Sequence, residues 1–509
     1  LFSLSAIFFG SKKFLAYPSF TFTRSPILPS FLMFVVKIIF ILISFRLLFS
    51  QDPTNTQKAV LGEAQQKKPE VVKKKSMEEA LKNTKEIPGL FTVYQDTTNG
   101  KTYIAIQKSQ LDNEYIHFVH GLNGQLNAGV FKGSYRGSKI IKLKRYFNRI
   151  EFEVQNNSMY FNPKNPLSRS SDSNVSSAIL ASSTIIAEKD SKYLIDVDNI
   201  FLSEALHQIT RGFVPGGVNK NPFKLGRLAK ERTKYSGIKN YPQNTDFIVQ
   251  YVYTNPTPTN WGSDVGITDP RSVNVTLQHS LIKLPKNNYR PRFEDPRVGY
   301  FATQITDMTS ASDPTPYRDM IHRWHLEKKD PSQARSVVKE PIVWWIENTT
   351  PHEFRDAIKE GVLAWNKAFE KAGLINAVDV KVQPDDAQWD AGDIRYNVLR
   401  WTSSPRPPFG GYGPSFVNPR TGQILGADIM LEYVYFTNRV KYEKIYDTFD
   451  GGIKSNVESG CSAGHFVQQG NLFGMMVMDD ISNYSDLKQH RIIYESLVKL
   501  TLHEVGHTL

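Results

Sequence analysis

Cysteine is almost missing from this chain: 509 residues carry one, Cys461. No intrachain disulfide framework can form, so buried apolar surface must hold the fold. Cys461 itself reads as a small buried hydrophobe or a free thiol, and nothing near it supports a thiolate switch. An uninterrupted apolar run of membrane-spanning length is also lacking, since Lys37 and Arg46 interrupt the most apolar stretch. There is no fixed-period repeat. Zinc-finger spacing, an aromatic RNA-binding signature and a basic helix with heptads are all absent. The formal net charge of +12 and pI near 9.3 therefore do not point to nucleic acid. Part of the excess sits in Lys67-Lys68 and Lys73-Lys74-Lys75, which read as a solvated linker.

What is present is enough apolar material for several cores. At 40% apolar and 12% aromatic residues, two or three domains are expected. Residue 1 is Leu, and residues 1–32 read as translation upstream of a start at Met33. Residues 33–50 resemble a cleavable signal: Lys37, apolar Ile38 to Phe45, Arg46, Leu47-Leu48-Phe49 and Ser50. A retained anchor is the other reading of that segment. Export to a periplasmic, envelope or secreted location follows, with membrane contact only through the signal or anchor. Residues 51–89 form a polar Lys-rich linker, read either as a loose helix around Met77 to Leu81 or as disordered.

Residues 90–290 read as an antiparallel β-rich domain of uncertain role. Asn99-Gly100 between Phe91 to Tyr94 and Tyr103 to Ile106 predicts a hairpin. Ile141 to Leu143, Ile150 to Val154 and Val273 to Leu277 alternate with period two. His117 and His120 fall on a strand, facing opposite sides. Residues 291–339 connect to a region, 340–509, of different texture. There Pro341 to Ile346 predicts a strand. Thr350-Pro351-His352-Glu353 predicts a capping box with Pro at the first helical position. The helix should run to about Ala372, where Gly373 ends it. Val378 to Val382 and Asp393 to Trp401 follow as strands, the first pair forming a right-handed parallel crossover. Asp428 offers one carboxylate to a structural cation, which alone is weak evidence for such a site.

The last seven residues, His503-Glu504-Val505-Gly506-His507-Thr508-Leu509, contain H-E-x-x-H. The stretch before them has neither Pro nor Gly from Leu487 to Leu502. Apolar Tyr494, Val498, Leu502, Val505 and Leu509 recur at helical spacing. On a helix, His503 and His507 share one face a turn apart and can grip one Zn2+. Glu504 then lies where a general base for the metal-bound water is needed. A catalytic zinc takes three protein ligands, and two are supplied here. Gly506 inside the helix suggests a close approach by a neighbour. The remaining histidines, including His322, His325, His465 and His490, read as structural.

The terminal motif resembles the opening of the metzincin zinc signature, H-E-x-x-H-x-x-G-x-x-H. That resemblance implies a Gly after Leu509, a third His three residues further and a Met-containing turn. More widely, Asp295 to Phe301, Trp344-Trp345-Ile-Glu347, the Trp365 helix and Gly411 to Asp428 resemble large secreted bacterial zinc-dependent metalloproteases. Their catalytic domain is similar to the metalloprotease subunit of an AB5-type enterotoxin. The resemblance implies an α+β fold: an antiparallel β-rich domain, then a metzincin-like α/β subdomain with a mixed twisted sheet and two long helices. It implies Zn2+ as cofactor, His503 and His507 as metal ligands and Glu504 as catalytic base. It also implies a peptide or protein substrate along an edge hairpin, at Gly411, Tyr412, Gly413, Ser415, Phe416 and Val417. Peptide hydrolysis is the activity to expect. An inactive envelope or secreted binding protein that keeps the protease fold is the alternative. No nucleic-acid partner is expected, and the oligomeric state is open.

Overall fold

The computed structural model describes residues 76–125, 128, 130–171, 173–209, 224–258, 267–295, 297–309, 317–402, 411–432, 470 and 486–509. The signal-like segment, most of the polar linker, Cys461 and His465 lie outside the described residues.

Period-two alternation accounts for most of the structure. Twelve strands form one sheet. They are β1 (Thr84–Ile87), β2 (Thr92–Asp96), β3 (Thr102–Gln107), β4 (Glu114–Asn123), β5 (Tyr135–Tyr146) and β6 (Arg149–Gln155). After these come β7 (Ala178–Lys189), β8 (Lys192–Asp196), β9 (Arg227–Leu228), β10 (Lys234–Asn240), β11 (Asn244–Thr254) and β12 (Ser272–Lys283). The order is β1-β2-β3-β8-β7-β6-β5-β4-β12-β11-β9, with β10 also on β11. All pairings are antiparallel. Asn99 and Gly100 do join β2 to β3, with Gly100 at φ +76°.

The sheet curls until its ends meet. Leu90 N donates to Tyr241 O at 2.7 Å, and Asn240 Nδ2 donates to the carbonyls of Ile87 and Phe91 at 2.7 and 2.6 Å. A shift between Ile185 and Ala187 lets β7 pair first with β6 and then with β8. Such bulges increase local bend and twist. The concave side buries Phe91, Ile104, Phe152, Phe201, Phe247 and Tyr251. Phe201 and Phe247 stack there at 4.1 Å. His117 and His279 share this interior, 3.0 Å apart, and His279 also bonds the Tyr251 hydroxyl at 2.8 Å. His120 belongs to the opposite face, against Phe118 and Phe416.

A second, smaller sheet holds β13 (Ile342–Ile346), β14 (Val378–Val382), β15 (Asn397–Thr402), β16 (Gly411–Tyr412), β17 (Ser415–Val417) and β18 (Ile424–Glu432). The order is β14-β13-β15-β18-β16, with β17 also on β18. The first four are parallel to one another, and β16 and β17 run antiparallel to β18. The outer face of the curled sheet meets this region through Ile116, Phe118, Ile140 and Ile282 packed on Ile394 and Phe416.

The expected α+β class with two long helices is not what the chain adopts. Among the described residues 42% are in strands and 16% in helices, and the large curled antiparallel sheet dominates. The helices are α1 (Met77–Leu81), α2 (Asp198–Phe201), α3 (His352–Leu363), α4 (Asn366–Lys371) and α5 (Asp486–Gly506). One long helix was expected from Pro351 to Ala372, and two shorter ones are found. The break has a tertiary cause. Asn366 turns its side chain onto Val378, giving to its carbonyl at 2.8 Å and accepting from its amide at 3.0 Å. Trp365 is drawn to α5, donating Nε1–H to Leu502 O at 2.8 Å. The capping box is also absent. Pro351 is itself the cap, no side chain caps the helix, and the buried Thr350 hydroxyl has no partner.

Buried titratable groups give the fold a pH signature. Burial pushes Asp246 up to about 8 and Asp428 up to about 7. It pushes His120 and His279 down to about 3 and holds His117 well below its ordinary range. The native state favours protonated carboxyls, so their contribution is lost as pH rises through 7 to 8. It also favours neutral imidazoles, and that contribution is lost as pH falls below about 6.5. The thermal midpoint should therefore be highest near pH 6 and decline towards pH 8.5, by about 2 °C or more. Asp246→Asn should flatten the decline. A midpoint that climbs steadily from pH 6 to 8.5 would contradict this account.

Candidate functional site

The helix α5 carries the site because two contacts hold it against the rest of the fold. Its buried side is Leu497, Leu500, Thr501, Glu504, Val505 and Thr508. That face lies one position away from the expected stripe, because three of its members are polar. Leu497, Leu500 and Val505 join Trp344, Ile346, Ile358 and Val362 in one core. Close approach is set by two glycines. A Cβ on Gly361 of α3 would stand 2.6 Å from Val498 O, and one on Gly506 would stand 2.6 Å from Trp365 Cζ2. The neighbour anticipated at Gly506 is thus an indole ring.

Burial on one side leaves the imidazoles on the other. His503 is exposed and His507 half-buried. Their Nε2 atoms are 3.1 Å apart, with ring planes at 87°. Two Zn–N bonds of about 2.0–2.1 Å at a tetrahedral angle would separate the nitrogens by roughly 3.3 Å. Burial and the neighbouring His503 push the His507 imidazole down, which favours the neutral form that ligates a metal. Glu504 is 1% exposed, and its Oε1 has no hydrogen-bond partner. Burial pushes its carboxyl up to about 7. The spacing of the two imidazole nitrogens fits one tetrahedral cation, while the orphaned Glu504 oxygen lies on the buried face of the helix. Among the described residues, no group of three His, Cys, Asp or Glu is placed to hold a metal.

The six edge residues fall into two groups. Gly413 lies on α5: its Cβ position is 3.2 Å from Thr508 Cγ2 and 3.5 Å from Glu504 O. Gly411 and Tyr412 form β16, and Ser415 to Val417 form β17. Two of the side chains are turned to the curled sheet. Phe416 meets Phe118 edge-on at 4.5 Å. The Tyr412 hydroxyl accepts from Tyr135 N at 3.1 Å, and its ring lies 5.7 Å from Phe131. The turn between β17 and β18 is Asn418 to Gly422, with Gly422 at φ +76°.

The histidines read as structural, and Asp428, lie away from this pair. His490 shares α5 with His503 but precedes it by thirteen residues, about 20 Å along a helix. His322 bonds Thr303 Oγ1 at 2.9 Å. Asp428 is buried and accepts from Val398 N at 3.2 Å, so its role is in the sheet.

The connecting region, which carries part of the resemblance at Asp295 to Phe301 but no expected site residue, touches the site twice. Trp324 Nε1 donates to Thr508 O at 2.6 Å. The Phe301 ring lies 5.7 Å from the His507 ring, tilted by 47°. Exposed aromatics in a segment rich in Pro and Arg were the one available signal.

No curated protein and no solved structure matches the chain. Residues 133–329 match the model of a family described as a domain of unknown function, DUF5117, a span that runs from just before β5 through Phe301 and Trp324.

Proposed function

We propose that α5 carries the metal end of a zinc-dependent endopeptidase. The observation that carries this reading is the pair of Nε2 atoms 3.1 Å apart on successive turns of the H-E-x-x-H segment. The resemblance to secreted zinc metalloproteases supports it. So does the edge hairpin at Gly411 to Val417, whose Gly413 lies against the same helix. His503 and His507 would hold Zn2+, with a third ligand supplied from outside the described residues. Bound zinc would polarise the scissile carbonyl and acidify a water molecule. Glu504 then takes a proton from the attacking water and passes it to the leaving amine. Burial on the core side keeps its carboxyl in one orientation. Gly413, lacking a side chain, lets the hairpin pack close against the helix end, and strand addition is the mode that an edge of this kind offers. Export is proposed on residues 33–50 alone; no helix among the described residues is long and apolar enough to cross a membrane.

The test is chelator-sensitive hydrolysis. Full-length protein should cleave a denatured protein substrate, lose that activity with a strong zinc chelator and regain it on adding Zn2+. Zinc binding with no hydrolysis of any peptide would favour the inactive binding protein instead. Hydrolysis that survives complete metal removal would sink the zinc reading.

A further inference from the structure

We propose that Phe301 is a specificity-determining residue of this site, forming an aromatic wall that receives an apolar side chain of the peptide next to the scissile bond. The inference rests on the zinc-peptidase reading and deepens it.

Phe301 is a large apolar side chain left 60% exposed, and its ring meets the imidazole of His507. Exposed phenylalanine is common enough alone. What sets this one apart is how firmly its backbone is held relative to the helix. His322 N donates to Phe301 O at 2.8 Å, and Ala302 and Thr303 pair with Ile321 and Met320. On the far side of Met320 lies Phe293, so three short segments form a small ladder. From there the chain is tied to the edge hairpin: Arg323 N donates to Gly422 O at 3.1 Å, and Ile424 N donates to Arg323 O at 2.9 Å. The Trp324 indole then fastens the same segment to the carbonyl of Thr508, just past α5. Backbone hydrogen bonds thus run from the Phe301 segment to the hairpin, and an indole N–H ties it to the end of the metal helix.

The backbone that carries the ring is thereby held in place beside His507. A substrate carbonyl brought to the metal lies within one side-chain length of the His507 ring, and so close to Phe301. Val298 and Tyr300, 48% and 47% exposed, precede it in the chain. The chemistry selected is an aliphatic or aromatic side chain, because desolvating a charged one against this wall has no compensating partner. The inference also gives the DUF5117 segment a part in catalysis, since Phe301 lies inside the matched residues.

The experiment compares full-length wild type with Phe301→Ala and Phe301→Tyr on quenched peptides that differ at one residue beside the cleaved bond, Leu or Phe against Ala or Asp. Zinc content is measured on the same samples. Phe301→Ala should lose about tenfold or more in kcat/KM on the Leu and Phe peptides, mainly through KM. It should change little on Ala and keep its zinc, and Phe301→Tyr should restore the preference. An unchanged Leu-to-Ala ratio in an active Phe301→Ala protein overturns the inference and leaves the peptidase reading intact. Loss of zinc in Phe301→Ala overturns it in favour of packing on His507. A zinc-loaded wild type that cleaves none of the peptides overturns both.

Discussion

Glu504→Gln is expected to retain zinc and to lose at least about a hundredfold in peptide hydrolysis, because a positioned base contributes on the order of 10²–10⁴. The substitution changes one oxygen to an amide nitrogen in a side chain that is 1% exposed, so shape and packing are kept. The two imidazoles are untouched, so metal binding should persist. What disappears is the ability to accept a proton. In the absence of a cation, burial pushes the Glu504 carboxyl up to about 7. A nearby dication lowers that value, so zinc binding should release a proton from wild type near pH 7 and fewer from Glu504→Gln. Calorimetry in two buffers of different ionisation enthalpy measures that difference. A Glu504→Gln protein with full activity would remove Glu504 from the mechanism.

Gly361→Val is expected to damage the site from the far side of the helix. The Cβ position at Gly361 is 2.6 Å from Val498 O, 2.9 Å from Thr501 Cβ and 3.2 Å from Leu502 N. Two of these atoms are backbone and cannot rotate away. Overpacking of this kind typically costs about 1–3 kcal/mol, and it must push α5 outward by moving the turn just before His503. The thermal midpoint should fall by about 2–4 °C per kcal/mol and zinc affinity should fall with it. Gly237→Ala is the control. Its nearest neighbour is Ile248 Cδ1 at 3.5 Å, ordinary contact, and it should be nearly silent. Equal effects from both would mean that α3 and α5 do not cross as closely as described.

Much of the local structure was legible. The strands with strict alternation, β5, β6 and β12, are where period two puts them, and Asn99-Gly100 makes its turn. The crossover from β13 through α3 to β14 was readable because a strand, a Gly-ended helix and a strand follow in that order. What was not legible depends on contacts far apart in sequence. β1 hides in the polar linker because Lys85 and Glu86 are charged and exposed and Thr84 and Ile87 are only half-buried. The sheet curls through Asn240 side-chain bonds to Ile87 and Phe91, which no local pattern encodes. The break in the Trp365 helix follows from Asn366 binding Val378, again a tertiary effect. Those two features explain why an α+β fold with two long helices was expected and a largely antiparallel β structure is found. At the proposed site, H-E-x-x-H supplies the three residues of the zinc reading at once. The face of α5 that packs inward was misread because Thr501, Glu504 and Thr508 are polar, so an apolar stripe alone points beside it. Phe301 was missed because its partner, His507, is some two hundred residues away.

The central claim is that His503 and His507 hold zinc, and the most direct test is metal content of purified full-length protein by mass spectrometry, beside His503→Ala. The account predicts about one zinc per wild-type chain, two imidazoles in its first coordination shell by X-ray absorption and near-complete loss in His503→Ala. Wild type that stays metal-free after equilibration with Zn2+, or His503→Ala that keeps its zinc, would contradict it.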